Sequence, residues 1–266
     1  MIDPPIIHRA PWLLPISRPP ITDGGLAVQA RKIIKVGRFK EVARSYPDAE
    51  ILDHPDAVLM PGLINAHTHL ELSHLAHLSQ QPPPASFSCW IGQMMAERAK
   101  VNAPQKVIQD AARAVLVKQH QQGVVAIADI SNTGFIQELA PEFSGQLICC
   151  KEYLGLRVAQ LAASLDCLAG EGERAGYPAP TICCTAHAPY STHLDLLLAL
   201  KARATRLGQI FSIHVAESLA EHDMISQGRG EMRDFLEQRG LWEKSFQPTG
   251  LKSKGSVSYL NDHGLL

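Results

Sequence analysis

Residues 61–75, PGLINAHTHLELSHL, set His67 and His69 one residue apart at the end of an apolar run. On a β-strand, residues i and i+2 project from the same side, so these two imidazoles would point together. Two neutral imidazoles on one face form half of a metal site. Alone, the pair is a weak signal, and surface or hydrogen-bonding histidines are the commoner case. The stretch FSIHVAES adds His214 at the end of a second apolar run, with Glu217 three residues later. A histidine beside a carboxylate suits a third ligand with a proton-transferring acid at hand. CTAHAPYS adds His187 at the end of a third run. Histidines closing run after run favour a metal centre over scattered surface imidazoles.

Such a centre needs elements that aim these residues at one point. Apolar, Val-, Ile- and Cys-rich runs at 123–131, 145–154, 180–190 and 209–218 read as strands buried on both faces. Between them APQKVIQDAARAVLVKQHQQG, RVAQLAASLDCLAGEG and HLDLLLALKARATRLG read as helices ending at glycines. In the first helix Val107, Ala111, Ala114, Val115 and Lys118 share one face. Alternating strands and helices predict a parallel sheet with right-handed crossovers. Active sites of parallel α/β barrels lie at the C-terminal strand ends, where His67, His69, His187 and His214 fall. The triple proline in LSQQPPPASFSCW excludes helix and central strand and predicts a rigid loop at the mouth of the site. Residues 1–57 read as a small β unit, with a turn at Asp23-Gly24-Gly25.

Composition narrows the function classes. A net charge of −1 speaks against a nucleic-acid or anionic-membrane surface. No apolar run approaches the roughly 18 residues of a membrane span. MIDPPIIHRAPWLLPISRPP lacks a basic segment before an apolar one, so no signal peptide is expected, and the reading is cytoplasmic. The pairs Cys149–Cys150 and Cys183–Cys184 sit in apolar runs and read as buried, reduced thiols. PCxxC, HExxH and GxSxG are absent, which removes the cytidine-deaminase, zincin and serine-hydrolase readings.

LMPGLINAHTHLELS, TAHAPYST and IHVAES together resemble the metal-dependent amidohydrolase superfamily, in its aminohydrolase branch. Within that branch HTHLELSHL followed by FSCWI is most similar to aminodeoxyfutalosine deaminase-like proteins of menaquinone synthesis. The resemblance implies a TIM-type (β/α)8 barrel beside a small β-sandwich. About five βα units are counted, so the expectation is an incomplete barrel over 58–266 and the N-terminal part of the sandwich over 1–57. It further implies that His67, His69 and His214 bind one divalent metal ion, zinc by default, with iron or manganese as alternatives. Glu217 would shuttle protons and His187 would hold the substrate. Glu71, Phe87 and Trp90 could line the substrate mouth, or serve as an exposed carboxylate and core aromatics.

The implied reaction is deamination of a purine-like or aminodeoxyfutalosine-like small molecule, with ammonia released. Members of the family carry a further His after strand six and an Asp after strand eight. Neither has a counterpart here, and the sequence is expected to stop before strand six. Two alternatives stay open: another hydrolysis on the same site, by a chlorohydrolase or cyclic amidase, or a catalytically incomplete fragment. A homo-oligomer of the complete protein is left open, with no nucleic-acid or membrane partner.

Overall fold

In the computed structural model the chain divides into two units, Met1–Leu63 and Ile64–Leu266, and the residues described are 4–172, 182–244 and 254–266. In the first unit β1 (Ile6–Leu13), β2 (Ile21–Gln29), β3 (Lys32–Arg38) and β4 (Glu50–Asp53) form one sheet in the order β3-β2-β1-β4, and β5 (Val58–Leu59) also pairs with β1. Helix α1 (Phe39–Ser45) packs Val42 against Ile7 and Ala27. Among the described residues of this unit there is one sheet backed by a helix, and no second sheet completes a sandwich.

The turn lies elsewhere than the sequence suggested. β2 continues through Asp23-Gly24-Gly25, with Asp23 itself at a φ of +48°, and the chain reverses at Ala30-Arg31, with φ of +48° and +63°. Two positive φ values between the paired Gln29 and Lys32 give the hairpin twist that suits flanking strands. The glycines answer a packing need instead: a Cβ on Gly24 would meet Leu13 Cβ at 2.4 Å.

β6 (Leu63–Thr68) leads into the second unit, where it forms a sheet with β7 (Val124–Ser131), β8 (Gln146–Tyr153) and β9 (Ile182–Ala186), in the order β6-β7-β8-β9. β7–β8 and β8–β9 are parallel. Helices α2 (Phe87–Val101) and α3 (Gln105–Gln121) connect β6 to β7, α4 (Val158–Gly170) connects β8 to β9, and α5 (Leu194–Leu207) follows β9. The β7–β8 connection is only a 3-10 segment, Ile136–Glu142. Among the described residues three shorter helices follow: α6 (Leu219–Gln227), α7 (Glu231–Gln238) and α8 (Ser256–Asp262). Among the described residues the sheet does not close on itself, and β6 lies at its edge with Ile64 72% exposed. No helix among the described residues is long and apolar enough to cross a membrane.

The strands bury both faces, as continuous apolar runs require. Ile127, Leu147 and Cys149 pack with Ala112 and Leu116 of α3, while Ile130, Cys150 and Cys183 form a separate cluster. Leu196, Leu197 and Leu200 of α5 close over Cys184 and Ala186. Each buried Leu or Ile among them contributes about 1.5–3 kcal/mol. All six cysteines are free, and four of them are buried. The buried face of α3 is Ala112 and Leu116, with Val115 alongside, whereas Val107 is exposed. The inward stripe is therefore offset from the face read in the sequence.

The run 209–218 also departs from expectation, because it is not a regular strand. It lies beside β9 but lacks a ladder. The Thr185 hydroxyl intervenes, accepting from the Ser212 N–H and donating to the Ser212 carbonyl. A side chain thus takes the bonds that a strand partner would use.

Candidate metal centre

A relay of backbone bonds places two of the histidines side by side. The His187 N–H donates to the Tyr153 carbonyl at the end of β8, at 3.0 Å, and the His214 N–H donates to the His187 carbonyl at 2.7 Å. The other two histidines come from β6. The His67 amide donates to Asn65 Oδ1 at 3.1 Å, and Asn65 Nδ2 donates to Gln119 Oε1 at 2.8 Å. Directly after His69 comes a 3-10 segment, Leu70–Gln80. Its first residue is fully buried, and the Leu70 N–H donates to Asp129 Oδ1 at 2.7 Å. Packing and one buried hydrogen bond therefore fix the chain on both sides of the HxH pair.

The structure brings His67, His69 and His214 together. One ring nitrogen of each lies within 4.8 Å of the other two, and the Nε2 atoms of His67 and His69 are 3.2 Å apart. Zinc bonded to imidazoles at about 2.0–2.1 Å in a tetrahedron holds its ligand nitrogens roughly 3.3 Å apart, so this spacing suits one edge of such a site. Burial, with the neighbouring His214, holds the His67 imidazole below its ordinary pKa. Burial does the same to His69 and His187. Those rings are thus held in the neutral form that a metal needs. His214 is the exception: burial disfavours its charge, but Glu152 and Glu217 outweigh burial and raise its pKa. Three convergent imidazoles, most of them held neutral, fit a divalent ion that accepts nitrogen ligands.

Glu217 reaches the same cluster. Its Oε1 is 3.7 Å from His214 Nδ1, and its Oε2 accepts from the Tyr190 hydroxyl at 2.8 Å. Glu221, fully buried, accepts from the N–H groups of Ala216 and Glu217 at 3.0 and 2.8 Å. It thereby holds the turn in which Ala216 takes a φ of +59°. His187 Nδ1 is 2.5 Å from Ser191 Oγ, and that hydroxyl donates to the Ala188 carbonyl.

The remaining candidates are placed differently. Glu71 is buried, accepts from Ser131 Oγ at 3.0 Å and faces Arg98 at 3.8 Å. Ser131 lies on the side of β7 that carries Ile127, so the carboxylate ties the segment after His69 to the sheet. Phe87 and Trp90 stack on α2 with ring centroids 5.8 Å apart. Trp90 lines a cavity of about 290 Å³ with Leu78, Pro83, Gln93 and Met94, and none of the four clustered histidines lines it. The triple proline borders this cavity rather than the histidine cluster.

Several residues at the site escaped the sequence reading. Glu152, buried at the end of β8, lies 3.2 Å from His214 Nε2 and forms a second cluster of potential ligands with His187 and His214. Its signal was a lone carboxylate in a run read as buried strand, CKEYL. Tyr190 stood in plain view in APYS, and Ser218-x-x-Glu221 is a helix-start pattern.

A model of the amidohydrolase family matches residues 58–245. An adenosine deaminase of Helicobacter pylori is 26% identical over 236 residues, covering 86% of this chain and 54% of that protein. An aminodeoxyfutalosine deaminase of Nitratiruptor is 24% identical over 216 residues, covering 78% of this chain and 51% of that protein. Among solved structures, Helicobacter pylori aminofutalosine deaminase in complex with methylthio-coformycin superposes with a TM-score of 0.71 at 25% identity, covering 96% of this chain and 60% of that one. A zinc complex of an atrazine chlorohydrolase from Arthrobacter aurescens has a TM-score of 0.69 at 16% identity, covering 98% of this chain and 58% of that one. That likeness bears on the fold alone. The chain spans about half the length of the curated relatives it matches.

Proposed function

The chain belongs to the amidohydrolase family, and on that footing we propose that its histidine cluster serves a metal-dependent aminohydrolase, which releases ammonia from an adenosine-like small molecule. The observation that carries the reading is the convergence of His67, His69 and His214, with Glu217 Oε1 3.7 Å from His214 Nδ1. The named relatives support the direction, since they are adenosine-type and aminodeoxyfutalosine deaminases.

His67, His69 and His214 would hold the metal, with zinc as the first choice. Bound there, the ion supplies Lewis-acid activation of a water molecule near neutral pH. Glu217 takes one proton of the attacking water and passes it to the ring nitrogen of the substrate; the second water proton goes to the amine, so that the C–O bond forms, the C–N bond breaks and ammonia leaves. Tyr190 holds the second carboxylate oxygen of Glu217 during these transfers. His187 orients the substrate through a hydrogen bond of its imidazole. The incomplete TIM-type barrel over 58–266 belongs to the same reading.

The test is ammonia release by the zinc-loaded protein from adenosine, 5′-methylthioadenosine, S-adenosylhomocysteine and aminodeoxyfutalosine. Turnover of at least one of them, lost in Glu217→Gln, is the expected result. Chloride release from a chlorotriazine with no deamination would put a different hydrolysis in its place.

A further inference from the structure

The His187 ring is tied to a hydroxyl, with Nδ1 2.5 Å from Ser191 Oγ. Ser191 is itself a fixed post. Its N–H donates to the Ala188 carbonyl at 3.1 Å, and its own carbonyl accepts from the Gly155 N–H at 3.0 Å. The residue is thereby pinned both to the turn after β9 and to the segment after β8. Around the imidazole stand Tyr190, perpendicular with ring centroids 5.6 Å apart, and His214, tilted at 5.2 Å. Among the described residues no hydrogen bond engages Nε2 of His187. The χ2 torsion of histidine is roughly two-fold, so a half-turn keeps the outline of the ring while it exchanges Nδ1 with Cδ2 and Nε2 with Cε1. Ring packing separates these two settings poorly. Ser191 separates them directly, because a turned ring would set a C–H against its hydroxyl.

We propose that Ser191 is a positioning residue for His187. Its hydroxyl selects one setting of the ring and one tautomer, and so offers Nε2 to the substrate in a single protonation state. The proposal rests on reading His187 as a substrate contact. It goes beyond that reading in naming the nitrogen used and the residue that fixes it. The physical basis is that the protonated nitrogen of an imidazole is set by the hydrogen bond its other nitrogen makes. The rival is a serine that serves only its own turn: Ser191 Oγ also donates to the Ala188 carbonyl at 3.2 Å, and that bond needs no histidine. Loss of one neutral hydrogen bond changes such a balance by roughly 2–10-fold.

Two measurements on the full chain separate these roles. The first needs neither metal nor substrate: nitrogen-15 NMR of the His187 ring in its neutral form, with its signals assigned by their loss in His187→Ala. One tautomer is expected in the wild type and in Ser191→Thr, and a mixture of the two in Ser191→Ala. A mixture in the wild type, or an unchanged single tautomer in Ser191→Ala, overturns the proposal. The second is steady-state kinetics on the best substrate of the panel. Ser191→Ala should raise KM by roughly 2–10-fold with kcat changed less, and Ser191→Thr should restore it. In a His187→Ala background the loss of Ser191 should have no further effect, because it acts through that ring. Equal effects in both backgrounds would make Ser191 a support of its turn alone and overturn the proposal. If Ser191→Ala does not fold, Ser191→Cys, which has a weaker bonding group, takes its place in both measurements. Failure of the substrate reading is a separate result: His187→Ala would then leave KM unchanged, while the ring spectrum still decides on Ser191.

Discussion

The Tyr190 hydroxyl donates to Glu217 Oε2 at 2.8 Å, from a phenol that is itself buried. Burial and the Glu217 carboxylate raise the phenol's pKa, so it remains a donor throughout the working pH range. A hydrogen bond to a charged group is worth about 1.5–3 kcal/mol. Tyr190→Phe keeps the ring and removes the donor, leaving the carboxylate free to turn. The expected result is a fall in kcat of roughly 10–100-fold with KM little changed. Steady-state kinetics on the best substrate of the deaminase panel checks it, and a change confined to KM would argue against a role in proton transfer.

Glu221 supports the same carboxylate from beneath. It accepts two successive backbone N–H groups, and its own N–H donates to Ser218 Oγ at 3.1 Å. Glu221→Ala removes the shared acceptor of two backbone donors on residues that are themselves exposed, so water can replace part of what is lost. A loss of about 1–3 kcal/mol of stability is expected, read from the midpoint of urea unfolding. Glu221→Gln retains one acceptor oxygen and should lose about half as much.

Metal binding should show as stability. A ligand that binds only the folded state at 100 times its dissociation constant stabilises by about 2.7 kcal/mol. In a unit of this size that amounts to roughly 5–10 °C in Tm. Zinc should therefore raise the Tm of the wild-type chain and leave His67→Ala and His69→Ala nearly unmoved. An equal rise in all three would place the zinc elsewhere.

The histidines were legible because their chemistry is local: a pair at i and i+2, and a His with a Glu three residues on, can be recognised without the fold. The helices α3, α4 and α5 were legible from their glycine stops. What was hidden depended on distant residues. Gly24 looked like a turn because the sequence does not show Leu13 lying against it. The run through Ser212 looked like a strand because its composition is that of one, and only Thr185 beside it reveals why no ladder forms. Glu71 was read as a mouth residue or an exposed carboxylate, and its burial against Ser131 at the end of β7 could not be seen from its place after His69. Glu152 could not be assigned a partner, since His214 lies 62 positions away in the chain.

Asp129 offers a test of how the segment after His69 is held. Its carboxyl is pushed up to about 7 from 3.8, chiefly by burial, with the nearby Glu71 adding to the shift and the Leu70 N–H opposing it. Only one oxygen is engaged; among the described residues Oδ2 has no partner. The sign follows from proton binding. Between about pH 4 and pH 7 the folded state keeps a proton that the unfolded chain has lost, so stability falls as pH rises through that window and levels off above it. At 1.36 kcal/mol per unit the cost of ionising Asp129 is on the order of 4 kcal/mol. Asp129→Asn keeps an acceptor for the Leu70 N–H and cannot ionise. The variant should therefore gain on the wild type as pH rises from about 4 to 7, and be more stable by a few kcal/mol above that. Urea unfolding of both proteins across this range gives the difference directly, free of the other titrating groups they share. A difference that stays constant with pH would mean that Asp129 is already ionised when folded, and that its buried Oδ2 is matched by a water or a cation.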